Sequence, residues 1–186
     1  MRTIVIGGSA GSLDALRQLL PALPATAAVA IVIHIPPTMP SLLPEVLRTY
    51  CALAVVEAVD KLALVPGTIV VAPPDYHLLV ERERTVALSR DPAEHFSRPA
   101  IDALFRSAAI ALGPDAIGVL LTGANEDGAE GLAAIQAHGG RIAVQDPLRA
   151  PSPEMPRAAL ARCTPDLVAD PQRIGAWLAT VSGAAS

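Results

Sequence analysis

Short apolar runs recur along this chain at Thr3–Ile6, Val29–Ile33, Ala54–Glu57, Thr68–Val71, Ala116–Leu121, Arg141–Val144 and Asp166–Val168, with helical patterns between most of them. Alternation of this kind leaves few ways to fold. Each run reads as a strand buried on both faces, and the connections read as right-handed βαβ crossovers. The expected fold class is therefore α/β: a mainly parallel, doubly wound, Rossmann-like sheet with helices on both faces. One stretch breaks the rhythm. His77–Glu81 and Thr85–Ser89 alternate around Arg82-Glu83-Arg84, which predicts a small antiparallel hairpin attached to the sheet edge. The clearest helix is Pro99–Leu112, where Ile101, Leu104, Phe105, Ala108, Ala109 and Leu112 share one face.

Composition agrees with buried strands. The 186 residues are 52% apolar and only 17% charged, with mean hydropathy +0.44, enough for one domain with a large core. A net charge of −4 without any run of basic residues argues against nucleic acid as a partner. Cys51 and Cys163 form no metal-ligand spacing and no disulfide framework, and read as buried thiols of a reducing, cytoplasmic compartment. No apolar run approaches the ~18 residues of a membrane span, so no membrane insertion is expected.

In a parallel sheet, chemistry collects at the carboxyl ends of the strands. There the first strand runs into Gly7-Gly8-Ser9-Ala10-Gly11-Ser12. Glycines on both sides of Ser9 permit a tight strand-to-helix turn that would hold its hydroxyl outward as a nucleophile. They would equally permit a plain crossing, with Ser9 or Ser12 capping a helix from about Leu13. Phosphate binding fits poorly, because the Gly-x-Gly-x-x-Gly spacing fails at Ile6 and the loop has no lysine.

Possible partners lie at other strand ends. His34 closes Ala30-Ile31-Val32-Ile33 and precedes Pro36-Pro37, which stop the strand and force a loop; it is either a base or a structural histidine. Asp127 follows the strand Gly118-Val119-Leu120-Leu121 in Thr122-Gly123-Ala124-Asn125-Glu126-Asp127-Gly128. It either orients a histidine or caps a helix from Gly128 or Ala129. A serine, a histidine and an aspartate past the ends of three strands match the needs of a hydroxyl nucleophile, its base and an orienting carboxylate.

At these residues the chain resembles the catalytic domain of the CheB protein-glutamate methylesterase family. The resemblance extends through Val71-Ala72-Pro73-Pro74-Asp75-Tyr76-His77-Leu78, Ser97-Arg98-Pro99-Ala100-Ile101-Asp102, Gly118–Gly123, Asp127–Gly131 and Met155-Pro156-Arg157. It implies hydrolysis of glutamate methyl esters on the cytoplasmic helices of chemoreceptors, and in some members deamidation of receptor glutamines. It also implies Ser9 as nucleophile, His34 as general base and Asp127 as its orienting carboxylate, with no metal and no cofactor.

Backbone donors at Ala10 and Ala124 are the candidates for an oxyanion site, and Arg98 is a candidate contact for acidic receptor segments. Relatives usually carry a hydroxyl residue where Ala10 stands, a glycine at Ser12 and Met-Gly at Ala124-Asn125. Asn125 is expected to keep the left-handed backbone a glycine would take, and Ala124 to widen the pocket. The best-known members have a receiver domain before this segment. Residues 1–186 read as one catalytic domain without it, so the chain should be competent alone or answer to a regulatory protein in trans. A non-catalytic module binding a receptor or signalling partner is the alternative function.

Overall fold

The computed structural model describes residues 1–34 and 41–183; the expected Pro36-Pro37 break and the last three residues of the tail lie outside them. The main sheet has seven parallel strands in the order β3-β4-β2-β1-β7-β8-β9. These are β1 (Thr3–Gly8), β2 (Ala28–Ile33), β3 (Ala54–Glu57), β4 (Thr68–Val71), β7 (Ala116–Leu120), β8 (Arg141–Gln145) and β9 (Leu167–Ala169). β1, β2 and β7 are buried along their whole length, which is why they carry continuous apolar runs and no alternation.

Helices cover both faces. α1 (Ser12–Leu19), α2 (Leu43–Arg48) and α6 (Pro171–Val181) pack on one side, where Leu16, Leu19, Leu47, Ile174 and Leu178 meet Ile4, Ile6, Ile31 and Val119. On the other side α3 (Ile101–Leu112), α4 (Ala129–Ala137) and α5 (Glu154–Arg162) bring Ile101, Leu104, Phe105, Leu132 and Met155 against Val5, Val32 and Leu120. The chain enters at the centre of the sheet, winds outward to β3, and returns to place β7 beside β1. A reversal of winding opens a crevice at the strand ends, and here it lies between β1 and β7.

The hairpin is β5 (His77–Val80) with β6 (Val86–Ser89), paired from His77↔Ser89 to Val80↔Val86. It does not extend the main sheet as the alternation suggested, but forms a sheet of its own. The preceding strand, β4, already has β3 and β2 on its two sides, so no edge is open beside it. The chain crosses α3 instead, where the N–H of Val80 donates to Ser107 Oγ at 3.0 Å.

Two glycines set how close α3 comes to the strand ends. A Cβ on Gly7 would stand 2.2 Å from Ile101 Cγ2, and one on Gly128 would stand 2.6 Å from the same atom. Gly128 also has φ of +92°, which L side chains rarely adopt. Ile101 therefore fills space that only glycines leave, and the first turn of α3 lies against the ends of β1 and of the loop after β7.

Candidate active site

Ser9 follows β1 and is held by its backbone. Its N–H donates to Thr122 O at 2.9 Å, and its carbonyl accepts from Ser12 N at 3.0 Å and Ser12 Oγ at 2.6 Å. Gly11, with φ of +81°, occupies the cap position of α1, and no side chain caps that helix. Neither serine is the cap that the turn alone allowed. Ser12 fastens the turn from inside the helix, and the half-buried Ser9 hydroxyl forms no hydrogen bond among the described residues.

That hydroxyl faces a cleft of about 440 Å³. Leu13 of α1, Ile33 and His34 at the end of β2, and Leu42, Leu43 and Val46 of the α2 segment line it together with Ser9. The wall is largely aliphatic, and Ser9 and His34 supply polar groups within it.

His34 is fixed from behind. Its Nε2 stands 2.7 Å from Asp127 Oδ2, and its side chain is 13% exposed. Nδ1 is the nitrogen left over, and it lies 3.4 Å from Ser97 Oγ. With a carboxylate on Nε2, the neutral ring carries its proton there and presents a lone pair at Nδ1. No side-chain hydrogen bond joins Ser9 to His34.

Asp127 is fully buried. Beyond His34, its Oδ2 accepts from Ile101 N at 2.7 Å and its Oδ1 from Asp102 N at 2.9 Å. Burial by itself would raise its pKa. The His34 hydrogen bond and the two backbone N–H groups outweigh burial and hold the carboxyl below its ordinary value. The carboxylate does satisfy a helix terminus, though not that of the helix which follows it. α4 is entered through Gly128, while Asp127 caps α3 from 26 residues away, a charge at the positive end of a helix.

A second buried carboxylate lies alongside. Asp102 accepts from Gly131 N at 2.6 Å and pairs with His95 Nε2 at 3.1 Å. Desolvation, with Asp127 nearby, pushes its pKa up. His95, Asp102 and Asp127 could present ligand atoms within 4.8 Å of one another. Their carboxylate oxygens, however, are turned toward N–H donors, so the group reads as a hydrogen-bond cluster behind the site. Sequence reasoning passed over Asp102 and Ser97. The signal available was position: both flank the start of the clearest helix.

The loop after β7 completes the wall. A Cβ on Gly123 would come within 3.1 Å of Ser9 Cβ and 2.4 Å of Met155 Cε. Gly123 N–H is engaged by Ser152 O at 3.0 Å. The exposed Ala10 and Ala124 have N–H groups with no acceptor among the described residues. Thr122 ties this loop to the turn at Ser9, its Oγ1 donating to Ala10 O at 3.0 Å. Asn125 does not take the left-handed backbone expected of it; its Oδ1 accepts from Asp127 N at 3.2 Å. An Asx turn does here what a glycine would do by backbone alone.

Arg98 spends four of its five N–H donors inside the protein. Nε and Nη2 lie 3.0 and 2.6 Å from Asp75 Oδ1, and Nη1 donates to the carbonyls of Arg90 and Asp91. Its visible work is to hold the loop before Ser97.

A model of the CheB methylesterase family matches residues 4–178. The chain belongs to this family. A putative protein-glutamate methylesterase/protein-glutamine glutaminase of Leptospira interrogans is 42% identical over 173 residues, 92% of this chain and 90% of that protein. A protein-glutamate methylesterase/protein-glutamine glutaminase of Chromobacterium violaceum is 38% identical over 186 residues, 98% of this chain and 52% of that protein. The chain thus spans nearly all of one relative and about half of the other. The crystal structure of the CheB methylesterase catalytic domain of Thermotoga maritima superposes with a TM-score of 0.91 at 28% identity, covering 97% of this chain and 98% of that one. The doubly wound sheet, the separate hairpin and the crevice between β1 and β7 are thus a CheB catalytic-domain fold. Among the described residues no helix is long and apolar enough to cross a membrane.

Proposed function

We propose that this CheB-family chain is a serine hydrolase that removes methyl groups from glutamate methyl esters of chemoreceptors, and that it also deamidates receptor glutamines. The observation that carries the reading is a histidine held by a fully buried, ionised aspartate beside an uncommitted serine hydroxyl at the mouth of a cleft. Family membership and the names of its relatives point the same way.

In this reading Ser9 Oγ attacks the ester carbonyl while His34 Nδ1 takes its proton. Nε2 is committed to Asp127, so Nδ1 serves as the base. The imidazolium that forms is stabilised by the Asp127 carboxylate. The oxyanion is received by the N–H groups of Ala10 and Ala124. His34 returns the proton to the departing methoxide, and methanol leaves. Water, deprotonated in turn by His34, opens the acyl-enzyme and restores Ser9 with a glutamate as product. With glutamine as substrate, ammonia is the leaving group. Arg98 would act on receptor segments through the loop it holds. The protein would work in the cytoplasm, and the cleft's aliphatic wall would take apolar side chains of a receptor helix.

Methanol release from methylated receptor membranes tests this. Wild-type chain should release methanol, and Ser9→Ala should lose activity by on the order of 10⁶-fold with its melting curve unchanged. Release by Ser9→Ala at the parental rate would leave Ser9 a turn residue only.

A further inference from the structure

Residues Glu94 to Ser97 close a two-residue turn through paired backbone hydrogen bonds, Glu94 N to Ser97 O at 3.1 Å and Ser97 N to Glu94 O at 2.8 Å. Both central residues are left-handed, His95 with φ of +47° and Phe96 with φ of +61°. Turns of this shape favour Asn-Gly, since a side chain at either position is strained. Packing of the tip does not repay that strain, because the Phe96 side chain is fully exposed. Clamps on both sides hold the turn instead. His95 pairs with Asp102, Glu94 with Arg106 Nη2 at 2.6 Å, and Arg98 with Asp75.

Strain that the surroundings enforce is a reason to ask what it delivers. What it delivers is the Ser97 hydroxyl, 3.4 Å from His34 Nδ1 and 3.4 Å from His95 O. We infer that Ser97 is a positioning residue that holds the imidazole plane of His34 through Nδ1 until the proton of Ser9 arrives there. The inference rests on the triad reading above. A hydroxyl suits this place because it can both donate and accept. Toward the neutral ring it donates to the Nδ1 lone pair. As Ser9 approaches, Ser97 turns its proton to the His95 carbonyl and releases that lone pair, so no net proton moves through Ser97. Two hydrogen bonds, from Asp127 on one nitrogen and Ser97 on the other, then fix a ring that one alone would let swing.

The test is the rate at which a fluorophosphonate probe modifies Ser9 in wild type, Ser97→Ala and Ser97→Thr, with melting curves for each and the labelled peptide identified by mass spectrometry. Ser97→Ala should slow labelling severalfold, because a ring held only through Nε2 spends much of its time turned away from Ser9, with unchanged melting. Ser97→Thr, which keeps the hydroxyl, should restore it. In the methanol assay the same Ala variant should lower kcat and leave KM. If Ser97→Ala unfolds, Ser97→Cys keeps the volume, weakens the donor and should show the same slowing. Labelling of Ser97→Ala at or above the parental rate, failure of Ser97→Thr to restore it, or label found on Ser97 itself overturns the inference. A wild-type chain that takes no label at Ser9 overturns the triad reading beneath it.

Discussion

Replacing Asp127 by Asn separates the carboxylate's part in the reaction from its part in the fold. The carboxylate accepts three N–H groups, with Oδ2 serving Ile101 and His34 and Oδ1 serving Asp102. An amide of the same shape has one oxygen. If that oxygen takes the Oδ2 place, the amide nitrogen meets the N–H of Asp102. If it takes the Oδ1 place, the nitrogen meets the N–H of Ile101 and donates to His34 Nε2, which drives the ring proton onto Nδ1. Either way one buried N–H loses its acceptor, at a cost of about 1–3 kcal/mol. At ~2–4 °C per kcal/mol for a domain of this size, Tm should fall by about 2–12 °C. Either way, too, the imidazolium loses its counter-charge, and turnover should fall by about 10⁴-fold, the usual cost of an Asp-to-Asn change in such a triad. Methanol release and a thermal melt, run on the same preparation, give both numbers. An Asn variant with lowered Tm but turnover within tenfold of the parent would refute the reasoning and leave Asp127 a helix cap only. Because its pKa is lowered on folding, Asp127 contributes stability that is present above its unfolded value and lost as pH falls through the folded one. The Asn variant should therefore lose less Tm than wild type on acidification.

Two further outcomes follow from the same geometry. Gly128→Ala should cost about 2–5 kcal/mol, combining the left-handed backbone with a Cβ pressed on Ile101 and Leu120; a chemical melt showing less than 1 kcal/mol, about the scale of an ordinary Gly-to-Ala change, would contradict it. Asp102 has its pKa raised by burial, so the wild type forfeits stability as pH rises above the unfolded carboxyl value. Asp102→Asn, relative to wild type, should thus melt more favourably at neutral pH than at about pH 4, and the opposite ordering would show that Asp102 is stabilising as an anion.

Most strand ends were legible because apolar runs stop there: Ile33 could be placed from hydropathy and the residues that follow, and Leu121 lies next to the end of β7, but β1 continues through Gly7 and Gly8 past the Ile6 at which its apolar run ends. What the sequence did not disclose were choices made between distant segments. Asp127 looked like a cap for its own helix because Asp before a helix usually is one, and only the close approach allowed by Gly7 and Gly128 brings the N–H groups of α3 to it instead. The hairpin's strands were plain, but their seat on α3 depends on β4 being flanked on both sides. Arg98 looked free for a partner, since nothing local shows that Asp75 and two carbonyls take its donors. The turn at His95-Phe96 was invisible for another reason: it lacks the glycine that marks such turns, and longer-range ion pairs hold it.

Asp127 binds the first N–H groups of α3 and the imidazole with the same carboxylate, so the integrity of one helix terminus and the orientation of the His34 ring are tied together. Should the start of α3 lift away, the carboxylate loses two of its three N–H partners and gains water, and its hold on the ring loosens with them. A partly opened molecule should then be a poorer hydrolase than the closed one. Protection of the Ile101 and Asp102 amides from hydrogen exchange becomes a direct gauge of the fraction of molecules competent to react.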